Sequence, residues 1–212
     1  MKNNKKLAYA ALAVFASSAY AEGVAPEFNG KGTASVEVRN TLDIVETASL
    51  NFGTIAAVAG DDATLATLKL DPASGELTAT SVTATDVAKK VGSITPIDKT
   101  NVSPGTFTVS NAARYTDLNI ALPKDTETIE LKMENAAPES LKFTLGKFTA
   151  YANDKAVGLD DTTGAGKART DENGNLVLLV GATLSTEKAR SAGTEPYLDA
   201  EYKGEYAVTI SY

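Results

Sequence analysis

Tyr202–Tyr212 read Y-K-G-E-Y-A-V-T-I-S-Y, and this stretch decides the fold. Its even positions carry Tyr, Gly, Tyr, Val, Ile and Tyr, whereas its odd positions are polar except for Ala207. A period of two, carried by aromatic and β-branched residues, predicts a β-strand with one face on a core. At about 3.4 Å per residue the strand would be roughly 35 Å long, about twice the common length.

This strand is also the last of the sequence, so we expect no later segment to pair with its second side. Only Lys203 and Glu205, near its start, place charge on that edge. Long, flat edge strands invite pairing with another chain unless charge or proline interrupts them. Two interpretations follow: the strand pairs only with strands encoded earlier, or its free edge binds a second chain.

Residues 1–21 have the three parts of a secretory signal peptide of the bacterial type. Three lysines open the segment, an apolar run extends from Leu7 to Phe15, and Ala19-Tyr20-Ala21 provides a small-x-small cleavage site. The run is too short to cross a bilayer, and no later segment approaches the required length of about 20 residues. We therefore expect an exported chain that begins at Glu22 and has no membrane span.

Charge and cysteine content narrow the class of protein further. The 212-residue chain has 20 Lys and Arg against 27 Asp and Glu. Three of the lysines lie in residues 1–21, so the remainder has 17 basic and 27 acidic residues, a net charge of −10. Such a chain is not expected to bind nucleic acid, which needs basic patches. Because it has no Cys, packing and strand pairing must stabilise it without disulfides.

Short alternating segments separated by turn-forming residues follow one another along the chain. Strands are predicted at residues 33–38, 42–45, 50–55, 64–70, 77–84, 105–110, 118–122, 129–133, 141–151 and 176–184. The turn-rich residues 71–76 predict a hairpin between two of them. Residues 85–104, which contain Pro96, and the polar stretches 158–174 and 187–199 are predicted to be irregular. Because no segment has a helical period over three turns, the pattern predicts an all-β sandwich or barrel.

Composition excludes most catalytic apparatus. Without His or Cys, the chain has no Ser-His-Asp triad, no Cys nucleophile and no zinc site built on those residues. Carboxylate pairs remain, because a glycosidase needs only two, and Asp61-Asp62 and Asp160-Asp161 are the obvious doublets. Adjacent loop residues rarely face one substrate, and there is no Trp on which a sugar would stack. We predict no enzyme, no catalytic residues and no cofactor.

One acidic loop, D-E-N-G-N at residues 171–175, resembles part of a calcium loop. Asp171 and Asn173 fit the first two ligand positions of an EF-hand. The glycine falls too early, and the twelfth position is Ala182 where the EF-hand needs Glu. A surface turn fits the segment better than a calcium site, and we predict no metal ligands.

Four segments, in order along the chain, carry a family resemblance. They are L-D-I-V…L-N-F-G-T-I in Leu42–Ile55, G-T-F-T-V-S in Gly105–Ser110, V-G-A-T-L in Val180–Leu184 and G-E-Y-A-V-T-I-S-Y in Gly204–Tyr212. Together they resemble a family of exported Gram-negative proteins of unknown function that is regarded as pilin-like. The first and last are also similar to the major subunits of chaperone–usher pili, particularly the cysteine-free colonisation-factor type.

The resemblance implies an immunoglobulin-like β-sandwich that lacks one strand, which leaves a groove bordered by the C-terminal strand. A periplasmic chaperone would fill the groove first, and an outer-membrane usher is the second assembly partner. The N-terminal extension of the next subunit would then replace the chaperone by β-strand addition. Such head-to-tail contacts propagate as a homopolymeric filament rather than closing.

The resemblance also implies boundaries and site residues. Residues 1–21 would be the signal peptide, 22–40 the N-terminal extension with its donor strand, and 41–212 the pilin-like domain. In the donor strand Thr33–Val38, the side chains entering the neighbour's groove would be Ala34, Val36 and Val38. The groove would be lined by Tyr206, Val208, Ile210 and Tyr212. Residues 85–104 and 152–175 look like insertions relative to a minimal pilin, and the donor side chains are small.

The function predicted from these observations is that of a major pilin. It would be exported through the periplasm and assembled at the cell surface into an extracellular fimbria that supports adhesion or biofilm formation. The first alternative is a self-contained secreted β-sandwich that binds a glycan or a matrix polymer. The second is a hydrolase that uses an acidic pair.

Overall fold

The computed structural model describes residues 32–37, 41–80, 83 and 88–212. The chain divides into two units, Met1–Val38 and Arg39–Tyr212. In the first unit, residues 32–37 are exposed and form no strand, so the strand predicted at 33–38 is not formed over its described part. Val38 lies outside the described residues.

The second unit is all-β, as predicted, with no helix among its described residues. Its strands are β1 (Asp43–Ala48), β2 (Thr54–Gly60), β3 (Thr67–Leu70), β4 (Leu77–Thr80), β5 (Ser93–Asp98), β6 (Gly105–Ser110), β7 (Asp117–Ala121), β8 (Ile129–Met133), β9 (Phe143–Ala152), β10 (Lys155–Val157), β11 (Ala165–Arg169), β12 (Leu176–Ser185), β13 (Thr194–Pro196), β14 (Tyr202–Lys203) and β15 (Thr209–Ser211). The named strands pair antiparallel throughout. None of the described segments is a helix long and apolar enough to cross a membrane.

The large sheet is organised around β12. Its strand order is β1-β6-β12-β9-β8-β14, with β10 beside β9 and the β3-β4 hairpin beside β12. On one side β12 pairs first with β6 and then with β3, and on the other side it pairs with β9. The nearly continuous apolar sequence of β12 agrees with this central position, because Leu178 and Val180 are fully buried in the core.

Two three-stranded sheets share a core with the large sheet. Their strand orders are β11-β7-β15 and β13-β2-β5. One continuous apolar cluster contains Phe143 and Leu178 of the large sheet, Ile120 and Ile210 of the first small sheet, and Ile94 of the second. Antiparallel sheets around a common core are consistent with a β-sandwich.

The prediction of one long strand over Tyr202–Tyr212 is wrong in its middle. β14 pairs with β8 of the large sheet and β15 pairs with β7 of a small sheet, whereas 204–208 belong to no strand. The chain changes sheets here, and at Gly204 it passes so close to β8 that an added Cβ would lie 2.6 Å from the Glu130 carbonyl oxygen. The alternation persists because Tyr206 and Val208 still pack against the core, although no ladder holds their backbone.

Three strands were missed in stretches predicted to be irregular. They are β5, β11 and β13. Pro96 lies within β5, which is the outer strand of its sheet, and an edge strand tolerates proline. β11 pairs with β7 through a sequence, A-G-K-A-R, that lacks the β-branched and aromatic residues typical of strands.

Other predictions are confirmed. β6 and β8 have the predicted bounds, and β3 and β4 form the predicted hairpin with a shorter ladder. Phe52 is buried and Gly53 adopts a φ of 73°, and β2 begins at the next residue, Thr54. That φ is in the left-handed region where glycine is favoured.

Candidate binding cleft

A cleft of about 1170 Å³ opens between two stretches that are far apart in sequence, 49–57 and 197–206. The remaining lining residues come from the large sheet and are apolar: Leu131, Phe143, Leu145 and Leu184. We call this feature the binding cleft. The cleft is larger than a typical small-molecule pocket of about 300–1,000 Å³, and its walls are long segments of backbone.

The binding cleft exists because β13 separates from β2. The two strands pair at Val58–Gly60, and a last hydrogen bond runs from Tyr197 N–H to the Ala57 carbonyl, with the two atoms 3.3 Å apart. Beyond that point the chain turns away toward β14. The cleft-facing side of Thr54–Ala56 therefore has no β13 partner, and the opposite wall ends with residues 204–206, which form no strand.

Tyrosine rings cover the base of the cleft. Tyr197 stacks on Phe143 with the ring centroids 4.1 Å apart, and Tyr202 meets Phe143 edge-on at 5.1 Å. The Tyr197 hydroxyl donates to the Lys142 carbonyl (2.9 Å) and accepts from Glu187 N–H (2.7 Å), which fixes the ring in place. Burial raises the pKa of Tyr197 far above its ordinary value.

Tyr206 closes the other end of the cleft. Its ring lies 5.2 Å from Phe148 and 6.1 Å from Phe107, centroid to centroid. Its hydroxyl is buried against Gly105 and has no hydrogen-bond partner among the residues that the structure describes. Burial raises the pKa of Tyr206 as well. A buried hydroxyl without a hydrogen-bond partner lowers the free energy of unfolding. The contact between the Tyr206 hydroxyl and Gly105 therefore destabilises the single chain.

The two rims of the cleft differ in charge. One rim carries Asp199, Glu201, Lys203 and Glu205, whereas the lining residues 49–57 include no charged side chain. Lys203 pairs with Glu201 at 2.9 Å, and both side chains are exposed, so the pair contributes little to stability. The cleft is thus apolar at its base and acidic along one rim.

The predicted site residues fall in different environments. Val36 is 87% exposed and Ala34 is exposed, while Val38 lies outside the described residues. Of the four predicted groove residues, Tyr206 lines the cleft. Val208 and Ile210 pack in the core, and Tyr212 is exposed, with its hydroxyl accepting from Ala113 N–H at 3.1 Å. The roles assigned to these residues stay predictions.

The doublet Asp61-Asp62 has a structural role. The Asp61 carboxylate accepts from Lys90 N–H and from Gly193 N–H, each at 2.7 Å, and so ties the end of β2 to two distant loops. These backbone hydrogen bonds lower the pKa of Asp61. Asp62 is buried, and its carboxylate accepts from Thr64 N–H at 2.8 Å. Neither residue lines the binding cleft.

The other acidic candidates organise turns. The Asp160 carboxylate accepts from Thr163 N–H at 2.8 Å and from Thr162 N–H at 3.0 Å, and the hydrogen bonds from Thr163 are the main cause of its lowered pKa. The Asp171 carboxylate accepts from the N–H groups of Asn173 and Asn175 at 2.8 and 2.7 Å, which supports the surface-turn interpretation. Within the part of the chain that the structure describes, no group of three or more acidic side chains is placed to hold a metal ion.

Sequence reasoning missed several residues of the cleft. Tyr197 lies in a stretch taken as polar and irregular, yet it covers Phe143. Leu50 and Ile55, in the predicted strand 50–55, are half-buried on the cleft wall. The signal that could have found Tyr197 is that it is the one aromatic residue in the polar stretch 187–199.

Comparison with models of protein families, with curated proteins and with solved structures gave no match.

Proposed function

We propose that this protein is a structural subunit of an extracellular fimbria, assembled by donor-strand exchange, and that it catalyses no reaction. The observation that carries this proposal is the binding cleft. Its base is apolar, and its walls are segments of backbone that lack a strand partner on the cleft side. One extended segment of another chain fits these requirements.

Strand addition would use both walls. An inserted segment would form backbone hydrogen bonds to Thr54–Ala56 on one side and to residues 204–206 on the other, and place alternate side chains on the apolar base. The result would be a completed immunoglobulin-like sandwich. In this proposal the single chain is a sandwich that lacks one strand, and its partner is a second copy of the same chain.

The direction of assembly follows from the positions of donor and acceptor. The donor strand lies in the N-terminal extension 22–40, and the cleft lies in 41–212. Each subunit would therefore insert its donor strand into one neighbour and bind the donor strand of another neighbour in its cleft. Such a contact is heterologous and extends into a filament. Because an unpaired edge invites misassociation, a periplasmic chaperone would cover the cleft until an outer-membrane usher presents the next subunit.

A second candidate function is that of a self-contained secreted β-sandwich that binds a glycan or matrix polymer. Tyr202 is the observation that favours it, because its half-buried ring lies in the cleft beside the polar rim residues Asp199, Glu201 and Lys203. An aromatic surface flanked by hydrogen-bonding groups suits a sugar. In that case the ligand would occupy the cleft, and the N-terminal extension would have no role in it.

Gel electrophoresis of cell-surface extracts, unheated beside boiled, tests the proposal. We compare the intact protein, a form lacking Thr33–Val38, and the matched variants Val36→Asp and Ser35→Asp, which place the same charge on opposite faces of the donor. A ladder that survives cold detergent, collapses on boiling and is lost with the deletion and with Val36→Asp, but not with Ser35→Asp, supports donor-strand exchange. A single monomer band for the normally exported intact protein would overturn it and favour the glycan-binding candidate.

A further inference from the structure

We infer that the loop between β6 and β7 carries a second binding site, in which the exposed ring of Tyr115 stacks against a neutral sugar of a polysaccharide. We call this ring, together with Arg114 and Arg169 beside it, the tyrosine patch. None of the three residues lines the binding cleft. The inference is therefore separate from the proposed function and from the sugar site considered in the cleft.

The first observation is the backbone conformation of Tyr115. Its φ is 53°, in the left-handed region, which is unfavourable for a bulky side chain and which Gly, Asn and Asp adopt more easily. Of the six non-glycine residues with positive φ in the described part of the chain, four are Asn or Asp. Another, Lys147, lies where β9 has one residue more than β12 between paired positions, so a β-bulge accounts for it. Tyr115 has neither explanation.

The second observation is that neighbouring segments hold the Tyr115 turn in this strained form. The Tyr115 N–H donates to the Asp171 carbonyl (3.2 Å), and the Tyr115 carbonyl accepts from Arg169 Nε (2.8 Å). The hydroxyl of buried Thr170 donates to the Ala113 carbonyl at 2.7 Å. Backbone strain persists only where the surroundings fix it, and such residues are found preferentially at functional sites.

The third observation is that the strained backbone presents its ring to solvent and not to the core. Tyr115 is 57% exposed, so packing does not account for an aromatic residue at this position. The Arg169 guanidinium carbon lies 6.0 Å from the ring centroid, within the range of a cation–π contact. An exposed aromatic ring on a loop that is held by a rigid scaffold is typical of a binding residue.

The polar groups around the ring supply both donors and acceptors of hydrogen bonds. Arg114 and Arg169 are exposed, and neither forms an ion pair with another described residue. Asp117 lies directly opposite Arg169 in the β7–β11 ladder and is also exposed. A sugar has apolar C–H faces and hydroxyl groups that donate as well as accept, so an aromatic ring flanked by guanidinium and carboxylate groups matches it.

The charge around the tyrosine patch favours a neutral ligand. Four cationic and five acidic residues lie on the loop, on β7 and β11, and on the turns and strand ends bonded to them: Arg114, Lys155, Lys167 and Arg169, and Asp43, Asp117, Asp154, Asp171 and Glu172. The two signs nearly cancel. The surface therefore has no excess of charge that would select an acidic or a basic polymer.

Native gel electrophoresis of the monomeric fraction of the full exported chain tests the site. One gel contains hydroxyethyl cellulose, a neutral polymer of glucose, and a second contains alginate, a polymer of uronic acids. Wild type is compared with Tyr115→Phe, which keeps the ring, and with Tyr115→Asn, which removes the ring but tolerates a positive φ. Ile97→Asn, at an exposed apolar residue of β5, is the matched control.

We expect hydroxyethyl cellulose to slow the migration of wild type, Tyr115→Phe and Ile97→Asn. Tyr115→Asn should weaken binding at least about 10-fold, measured from the mobility at increasing polymer concentration. Its midpoint in urea unfolding should equal or exceed that of wild type, because asparagine adopts a positive φ with less strain. A purely structural tyrosine would instead give a lower urea midpoint in Tyr115→Asn.

Three results would overturn the inference. They are unchanged migration of wild type in hydroxyethyl cellulose, equal retardation of wild type and Tyr115→Asn, and loss of retardation with Tyr202→Leu in the binding cleft while Tyr115→Asn still binds. If Tyr115→Asn yields no exported protein, Tyr115→Gly replaces it, since glycine adopts a positive φ freely. None of these results concerns donor-strand exchange, which the ladder from cell-surface extracts reports separately.

Discussion

Replacing Gly105 with alanine tests the contact that holds Tyr206 against the large sheet. A Cβ atom at position 105 would overlap the Tyr206 hydroxyl, whereas its next neighbours, the Leu50 Cβ and the Tyr206 Cζ atoms, would be 3.4 and 3.5 Å away. The overlap is therefore confined to one oxygen atom. Tyr206→Phe removes that oxygen and leaves the ring in place.

The expected magnitudes follow from this geometry. Inserting a methyl group into a packed interior costs about 1–3 kcal/mol, so Gly105→Ala should lower the free energy of unfolding by that amount. Tyr206→Phe alone should be neutral or stabilising, because it removes a buried hydroxyl without a partner. In the Tyr206→Phe background the added methyl group makes ordinary contacts. There, Gly105→Ala also lowers the conformational entropy of the unfolded chain, which stabilises the fold by about 0.4–1 kcal/mol. The coupling energy between the two positions should be about 1–3 kcal/mol.

Urea unfolding of the monomeric fraction, followed by circular dichroism, measures all four corners of this double-mutant cycle. Gly105→Ala should unfold at lower urea than wild type, and the double variant should unfold close to Tyr206→Phe. If Gly105→Ala destabilises both backgrounds equally, the coupling is zero and the Tyr206 hydroxyl does not lie against β6.

Three further outcomes are expected. Asp61→Asn should lower the free energy of unfolding at neutral pH and flatten its pH dependence below about pH 4. The reason is that a carboxylate with a lowered pKa stabilises the fold above its unfolded-state pKa and loses that contribution as pH falls through its folded-state pKa. Denaturant unfolding across that pH range contradicts the prediction if the stability profiles of wild type and Asp61→Asn coincide. Tyr197→Phe should cost about 1–3 kcal/mol, since the Glu187 N–H and the Lys142 carbonyl, both partly buried, lose their partner, whereas Tyr115→Phe at an exposed site should unfold like wild type. Gly181→Ala should reduce the melting temperature, because the methyl would overlap a carbonyl of β3, and Gly158→Ala, which has open space around it, should not.

Local alternation predicted the strands whose two faces meet different surroundings. β6 was placed correctly because its apolar residues Phe107 and Val109 alternate with Thr and Ser, and β8 because its half-buried apolar residues alternate with exposed charged ones. The same rule failed over 204–208, where alternation reflects burial of Tyr206 and Val208 without any strand pairing. Alternation in the sequence therefore indicates which side chains are buried, but it does not indicate whether the backbone pairs with another strand.

Strands defined by their partners were beyond local reasoning. β5 accepts Pro96 because its position at a sheet edge needs no second ladder, and β11 is recruited by β7 despite weak propensity. The binding cleft was predictable only in part for the same reason. Tyr206 could be named from its strand pattern, but the opposite wall is brought there by the separation of β2 from β13, whose paired residues are more than 130 positions apart in the chain.

The position of β12 at the centre of the large sheet also constrains how the chain acquires its structure as it is made. β12 joins β6 to β9, yet it begins only at Leu176, so every shorter N-terminal fragment has a sheet in two unconnected parts. At about 5–20 residues per second, roughly 3–13 s pass between the synthesis of Ser110, which ends β6, and the arrival of Leu176. During that interval the edges of β6 and β9 lack their main partner, and contacts of such long sequence separation form slowly. The large sheet is therefore expected to be completed only when synthesis is almost finished.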